Sequence, residues 1–161
     1  MSEEKNRRAG DGGTYLVISD DSAEFQTALR YALKMAHARR GHVAVARIIE
    51  TQDFTHWGGV EARVAREQRR EAEEKLWEIG RFANQLTGTI PGLYIHEGDT
   101  IEVVTGILEG DENISMLILA SADGGHDRLV SHFTGKNSAK LRVPVLVIPG
   151  HLDDAAIDSL A

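Results

Sequence analysis

The chain contains no cysteine. Disulfides, thiolate chemistry and Cys-ligated zinc or iron–sulfur centres are therefore excluded, which agrees with a cytoplasmic location. Long hydrophobic runs are also missing, since no apolar stretch nears the roughly 20 residues needed to cross a bilayer. The opening residues MSEEKNRRAGDGG hold no apolar segment that could act as a secretion signal. Positive charge is in deficit. A formal net charge of −7 argues against general binding to nucleic acid or to an anionic membrane. No Gly-x-Ser-x-Gly turn occurs, and Ser131-His132 is adjacency in sequence rather than a nucleophile aligned with its base. No set of residues marks the chain as an enzyme.

What is present is a globular composition and the length of one domain, 161 residues. Residues 1–13 are expected to form a flexible tail and 14–150 the folded domain. Residues 151–161 form a C-terminal tail, either a short amphipathic helix or loose. Tyr15–Ser19 reads as a strand ending in Asp20-Asp21-Ser22. Phe25, Ala28, Leu29, Ala32, Leu33 and Ala36 then recur three and four apart, as on one helical face. Asp21 or Ser22 can cap that helix, and Arg39, Arg40 and Gly41 close it. His42–Ile49 is the second strand. A long helix follows from about Val60 to Leu86, apolar on one face in its second half and dense in Arg and Glu in its first. Arg63, Arg66, Arg69 and Arg70 are read as members of ion pairs at helical spacing rather than as ligand-binding groups. Leu93–Glu97 is the third strand, and Asp99 or Thr100 caps a helix that stops at Gly110.

The stretch from Ile114 to Gly150 organises the rest. Its two apolar runs, Met116–Leu119 and Val143–Ile148, suit strands buried on both faces of a parallel sheet. The loop between them begins Ser121-Ala-Asp-Gly-Gly-His-Asp, beyond a strand's carboxyl end, where α/β proteins meet their ligands. A short helix near Lys136–Leu141 leads into the last strand. Alternating strands and helices imply a mostly parallel sheet covered on both faces. Pro144 marks the last strand as an edge, yet Val143, Val145, Leu146, Val147 and Ile148 are too apolar to be left in water. A homodimer paired through that strand is the expectation. His126, Asp127 and His132 crowd one loop, and His151, Asp153 and Asp154 another, but neither spacing matches a metal-binding motif. Gly135-Lys136 is not a P-loop, because Val130 stands where that motif needs its earlier glycine.

Taken in order, these elements resemble the universal stress protein family over residues 14–150. The strand and turn YLVISDDS resemble the family's opening Asp-Gly-Ser turn, with Asp20 and Ser22 matching and Asp21 in the glycine's place. The second strand carries Arg47 where histidine is common and Ile48 at the position that touches adenine. His96-Glu97-Gly98-Asp99 is similar to the turn after strand three, and Val143-Pro-Val-Leu-Val-Ile to the strand through which members dimerise. The resemblance implies a single Rossmann-like α/β domain with a five-stranded parallel sheet of order 3-2-1-4-5 and helices on both faces.

It also implies a site for ATP or a related adenine nucleotide with Mg. Members that bind ATP carry Gly, two residues, Gly, nine residues, then Gly followed by Ser or Thr. Those glycines let backbone N–H groups approach phosphates at a helix N-terminus. By that correspondence Asp20 and Ile48 frame adenine and ribose, with Asp21 and Ser22 in the same turn. Ala120, Ser121, Asp123, Gly124 and Gly125 surround the phosphates together with Gly135, Lys136, Asn137 and Ser138. Here Ala120 and Asp123 replace the first two glycines, and Lys136 replaces the hydroxyl residue. A carboxylate at 123 repels phosphate, and the Lys136 cation offsets it. Counted from Gly125, nine residues precede Gly135, so a rearranged loop keeps the spacing. Three functions follow from the resemblance: a dimeric regulatory or protective protein binding an adenine nucleotide, a nucleotide-independent scaffold acting through protein partners, and a slow nucleotide hydrolase.

Overall fold

Alternation along a single strand builds two cores on one sheet. In the computed structural model, which describes residues 12–50, 60–122 and 127–161, β1 (Thr14–Ser19) sends Tyr15 and Val17 to one face. Leu16 and Ile18 go to the other. Residues 1–11 of the expected 1–13 tail lie outside the described residues, as do residues 51–59. The remaining strands are β2 (His42–Ile49), β3 (Gly92–Glu97), β4 (Ile114–Ser121) and β5 (Val145–Pro149). All neighbours run parallel in the order β3-β2-β1-β4-β5. Leu16 sits opposite Ala44 on one side and Leu117 on the other, so it has a small neighbour on one strand and a large one on the next.

Helices α1 (Ala23–Arg39), α2 (Val60–Thr87) and α5 (Asp154–Leu160) cover the first face. Their Leu29, Leu33, Leu76, Ile79 and Ile157 are buried with Val17, Val45 and Ile118. The second face is covered by α3 (Thr100–Gly110) and α4 (Arg128–Thr134), through Val104, Leu108 and Phe133 against Leu16, Leu117 and Leu119. Each fully buried side chain of this size contributes roughly 1.5–3 kcal/mol by leaving water. Among the described residues, no helix is long and apolar enough to cross a membrane.

Three details refine the reading of the sequence. Helix α4 occupies residues expected to be loop, and the segment after it is a 3₁₀ turn, Lys136–Lys140. Of the two conformations open to the C-terminal residues, the helix is present. Ile157 is 1% exposed in the first core, and Arg30 holds Asp158 through two hydrogen bonds of 2.8 Å. Helix α1 is capped by Ser22 and ends not on glycine but on Arg40, whose φ of 56° is left-handed. Gly41 beside it serves closeness instead, because a Cβ there would sit 2.8 Å from the Gly13 carbonyl oxygen.

Candidate functional site

Adjacent strands β1 and β4 hand the chain off in opposite directions, which opens a crevice at their carboxyl ends. Asp20, Ser22, Ala120, Asp127 and Leu129 line it. The crevice is nearly shut. Its volume is about 20 Å³, room for about one water molecule.

Both carboxylates of the crevice lining are engaged in the chain's own turns. Asp20 accepts hydrogen bonds from the Ser22 backbone N–H, at 2.9 Å, and from the Ser22 hydroxyl. Ser22 in turn accepts from the Phe25 N–H at 3.2 Å, so the first turn is fixed as the start of α1. Asp127 accepts from the Leu129 and Val130 N–H groups at 2.9 and 3.2 Å. The free N–H groups that could receive a phosphate at α4 are thus held by the chain's own acid. Glu24 packs over Gly150, where a Cβ would lie 2.3 Å from the glutamate Cγ and 2.5 Å from the Ser121 carbonyl oxygen. Gly150 is required there by that approach rather than by its backbone angles.

Beside the crevice, Asp21 joins three elements. Lys75 of α2 and Arg47 of β2 both bond to it, with the Arg47 Nη2 3.1 Å from each carboxylate oxygen. These hydrogen bonds, from Lys75 first and then Arg47, hold the Asp21 carboxyl below its usual range. The Arg47 Nη1 is buried and, among the described residues, has no hydrogen-bond partner. Farther along the same rim, Arg128 bridges Asp99 at 2.8 Å and Glu50 at 3.6 Å.

The Asp21 pairs make an acid-sensitive contribution. A carboxyl lowered in the folded chain adds stability above its unfolded pKa, near 3.8, and that stability is lost as pH falls through the lowered folded value. The Asp21 side chain is 66% exposed, so screening keeps the gain at about 1 kcal/mol or less. Urea unfolding of Asp21→Asn is expected to fall below the parent at pH 7 and to do so by less at pH 3. An equal deficit at both values would remove the ion pairs as its cause.

The structure brings only part of the expected site together. Asp20, Ser22 and Ala120 share the crevice, and Asp21 flanks it. Ile48 is half-buried beside His96 against the second core. Ser121 uses its carbonyl to accept from the Gly150 N–H at 2.9 Å. Gly135, Lys136, Asn137 and Ser138 do not line the crevice. They form the exposed turn after α4, with the Ser138 N–H donating to the Gly135 carbonyl at 3.0 Å. Asp123, Gly124, Gly125 and His126 lie outside the described residues. At the sheet edge, Val143 precedes β5 and is buried in the second core, and Ile148 is buried in the first. Val145, Leu146 and Val147 are half-buried.

The side chains the sequence did not single out are Lys75, Glu24 and Arg128. Exposed charges on different elements give no local signal of where they converge. The Asp127 cap carried one, an Asp just before a possible helix start. A larger hollow of about 750 Å³ lies away from the crevice, between α3 and the second face of β1–β3, over Leu16, Ala44 and Ala46 and beside Tyr94 and His96.

Among the described residues, the lining of the crevice carries two carboxylates, Asp20 and Asp127, and no cation. Among known proteins, the family model described as "Universal stress protein family" matches residues 14–149. The chain is similar in fold to the universal stress protein UspA of Lactobacillus plantarum, at 15% identity and a TM-score of 0.69. That match covers 86% of this chain and 98% of that one. It is similar also to a universal stress protein in complex with cAMP, at 15% identity, TM-score 0.54, covering 86% and 97%. A third is the universal stress protein of Archaeoglobus fulgidus in complex with dAMP, at 15% identity, TM-score 0.50, covering 84% and 97%. No curated protein matches the sequence.

Proposed function

This chain belongs to the universal stress protein family, and we propose that it serves there as a homodimeric regulatory or protective module that engages protein partners without ATP. One observation carries the reading: the described crevice at the carboxyl ends of β1 and β4, lined by Asp20, Ser22 and Asp127, has a volume of only about 20 Å³. Regulation then depends on surfaces rather than on nucleotide turnover. The open edge of β5 supports the dimer, since Val145, Leu146 and Val147 present an apolar strand with one unpaired side.

Val147 packs against neither core within the protomer, which makes it the residue for a test. Sedimentation at about 10 µM is expected to give a dimer for the parent and a monomer for Val147→Glu, with unchanged circular dichroism. A charge buried unpaired in both copies costs several kcal/mol, equivalent to more than about a hundredfold loss of affinity. A parent that runs as a monomer at this concentration, or a Val147→Glu variant that remains dimeric, overturns the β5 contact.

A second reading, binding of an adenine mononucleotide, draws support from the relatives crystallised with cAMP and dAMP. In this chain the support is the buried, unpartnered Arg47 Nη1, a donor that one phosphate oxygen could satisfy. Nucleotide hydrolysis has no such support, because Asp20, Asp21 and Asp127 are all engaged within the chain.

A further inference from the structure

Helix α3 is buried along one stripe and stands off the sheet along the next. Val104 and Leu108 pack into the second core. Val103 and Ile107, only half-buried, line the hollow of about 750 Å³ over β1–β3. Its floor is built of small residues, Ala44 and Ala46 of β2, which the register sets beside Gly92 and Tyr94 of β3. A concave space of this size, with an apolar floor and a few polar groups around it, has the make-up of a small-molecule site.

Two glycines shape the hollow. Gly106 lies inside α3, where only proline is less favoured than glycine, yet a Cβ there would meet no atom within 4 Å. Packing among the described residues does not call for that glycine, and its missing side chain keeps the wall of the hollow open. Gly92 acts on the opposite wall. A Cβ on it would lie 2.9 Å from the Tyr94 Cε2 and 3.0 Å from the Tyr94 hydroxyl oxygen, so the bare backbone lets that ring lie back along its strand. The ring is 53% exposed, and among the described residues no other ring stacks on it.

Charge narrows the ligand. Among the described residues the lining holds no lysine or arginine, and Asp111 is its one carboxylate. In a chain of net charge −7, such a lining repels phosphates and carboxylates. A purely hydrocarbon ligand is also disfavoured, because Thr14, His42, Asn113 and His96 place hydrogen-bonding groups around the floor, and covering them without a partner is costly. A flat ring can stack on Tyr94, and heteroatoms on it can meet those polar groups.

We propose that the hollow between α3 and β1–β3 binds a small, uncharged, planar heteroaromatic compound, seated on Ala44 and Ala46 with one face on the Tyr94 ring. The site is separate from the crevice at the carboxyl ends of β1 and β4. It stands whether or not that crevice takes a nucleotide, and it needs no second copy of the chain.

Backbone amide shifts of the isotope-labelled protein test it by NMR, with quinoxaline and coumarin as neutral probes and naphthoate as the anionic one. At least one neutral probe is expected to shift the Ala46 and Gly106 amides saturably, with a dissociation constant below about 1 mM. Naphthoate is expected to bind about tenfold more weakly or not at all. Gly106→Leu fills the open space and Tyr94→Ala removes the ring, and each is expected to weaken the neutral probe by about tenfold at unchanged circular dichroism. Tyr94 is half in water, so its variant keeps the test open even should Gly106→Leu disturb α3. The proposal is overturned by the absence of a saturable shift at these amides up to about 5 mM of either neutral probe, by equal binding of naphthoate, or by full binding in Tyr94→Ala. A shift of the same amides with protein concentration alone would give the hollow to a second copy and overturn it too.

Discussion

Phe133→Ala is expected to lower the unfolding free energy by about 3–5 kcal/mol, seen as a lower urea midpoint at unchanged slope. Phe133 is 1% exposed and is the only buried side chain of α4. A helix of seven residues is too short to persist on its own hydrogen bonds. The ring therefore holds the segment against the second core, where Leu129, Val130, Val143 and Leu141 surround it. Truncation leaves a cavity and also frees α4, taking with it the Asp127 cap and the Arg128 bridge to Asp99. Phe133→Leu, which keeps most of the volume, is expected to recover the larger part of the loss. A Phe133→Ala variant within 1 kcal/mol of the parent would mean that α4 is not docked.

Arg142→Ala is expected to cost about 2 kcal/mol although the residue is exposed in part. Its guanidinium closes the carboxyl end of α3. Nε and Nη2 donate to the Leu108 carbonyl at 3.2 and 2.9 Å, and Nη2 also lies 2.8 Å from the Asp111 and 3.1 Å from the Ile114 carbonyl oxygens. Charged hydrogen bonds of this kind are worth about 1.5–3 kcal/mol, and a cation at a helix C-terminus adds to them. One side chain thus ties α3, the start of β4 and the approach to β5. Arg142→Lys is expected to restore less than half, because a point ammonium cannot reach three carbonyls as a planar fork does. Full rescue by lysine would point to net charge instead of geometry.

These two residues also show where a sequence stops being legible. The strands were readable because buried apolar runs need no partner to be recognised, and β2 begins and ends where its pattern does. Long helices were readable from their three- and four-residue spacing, and two of the α2 arginines pair at that spacing, Arg69 with Glu73 and Arg70 with Glu67 and Glu74, while Arg66 bonds to the Ala62 carbonyl. Helix α4 was not readable. Two turns with one buried ring show no period, and only its Asp127 cap betrayed it. Arg142 was invisible for a different reason, since its partners are backbone oxygens 28 to 34 residues away. At the crevice, Asp20 and Ser22 were found through the turn they form. Lys75, 54 residues from Asp21, could be placed there only by the fold. Likewise, the resemblance grouped Gly135 to Ser138 with the phosphate loop, and the helix at 128–134 that separates them from Asp127 was not read from the sequence.

The departures from the family pattern fit together physically. Asp21 in place of glycine and Arg47 in place of histidine form one ion pair, and Lys75 completes it. Asp127 caps α4 through the Leu129 and Val130 N–H groups. On the proposed reading, a turn held by such internal bonds works without bound ATP.

Calorimetric titration of the purified protein with MgATP tests this most directly. The expected result is no saturable heat up to about 1 mM ligand. One equivalent bound per chain with a dissociation constant below about 100 µM would contradict it.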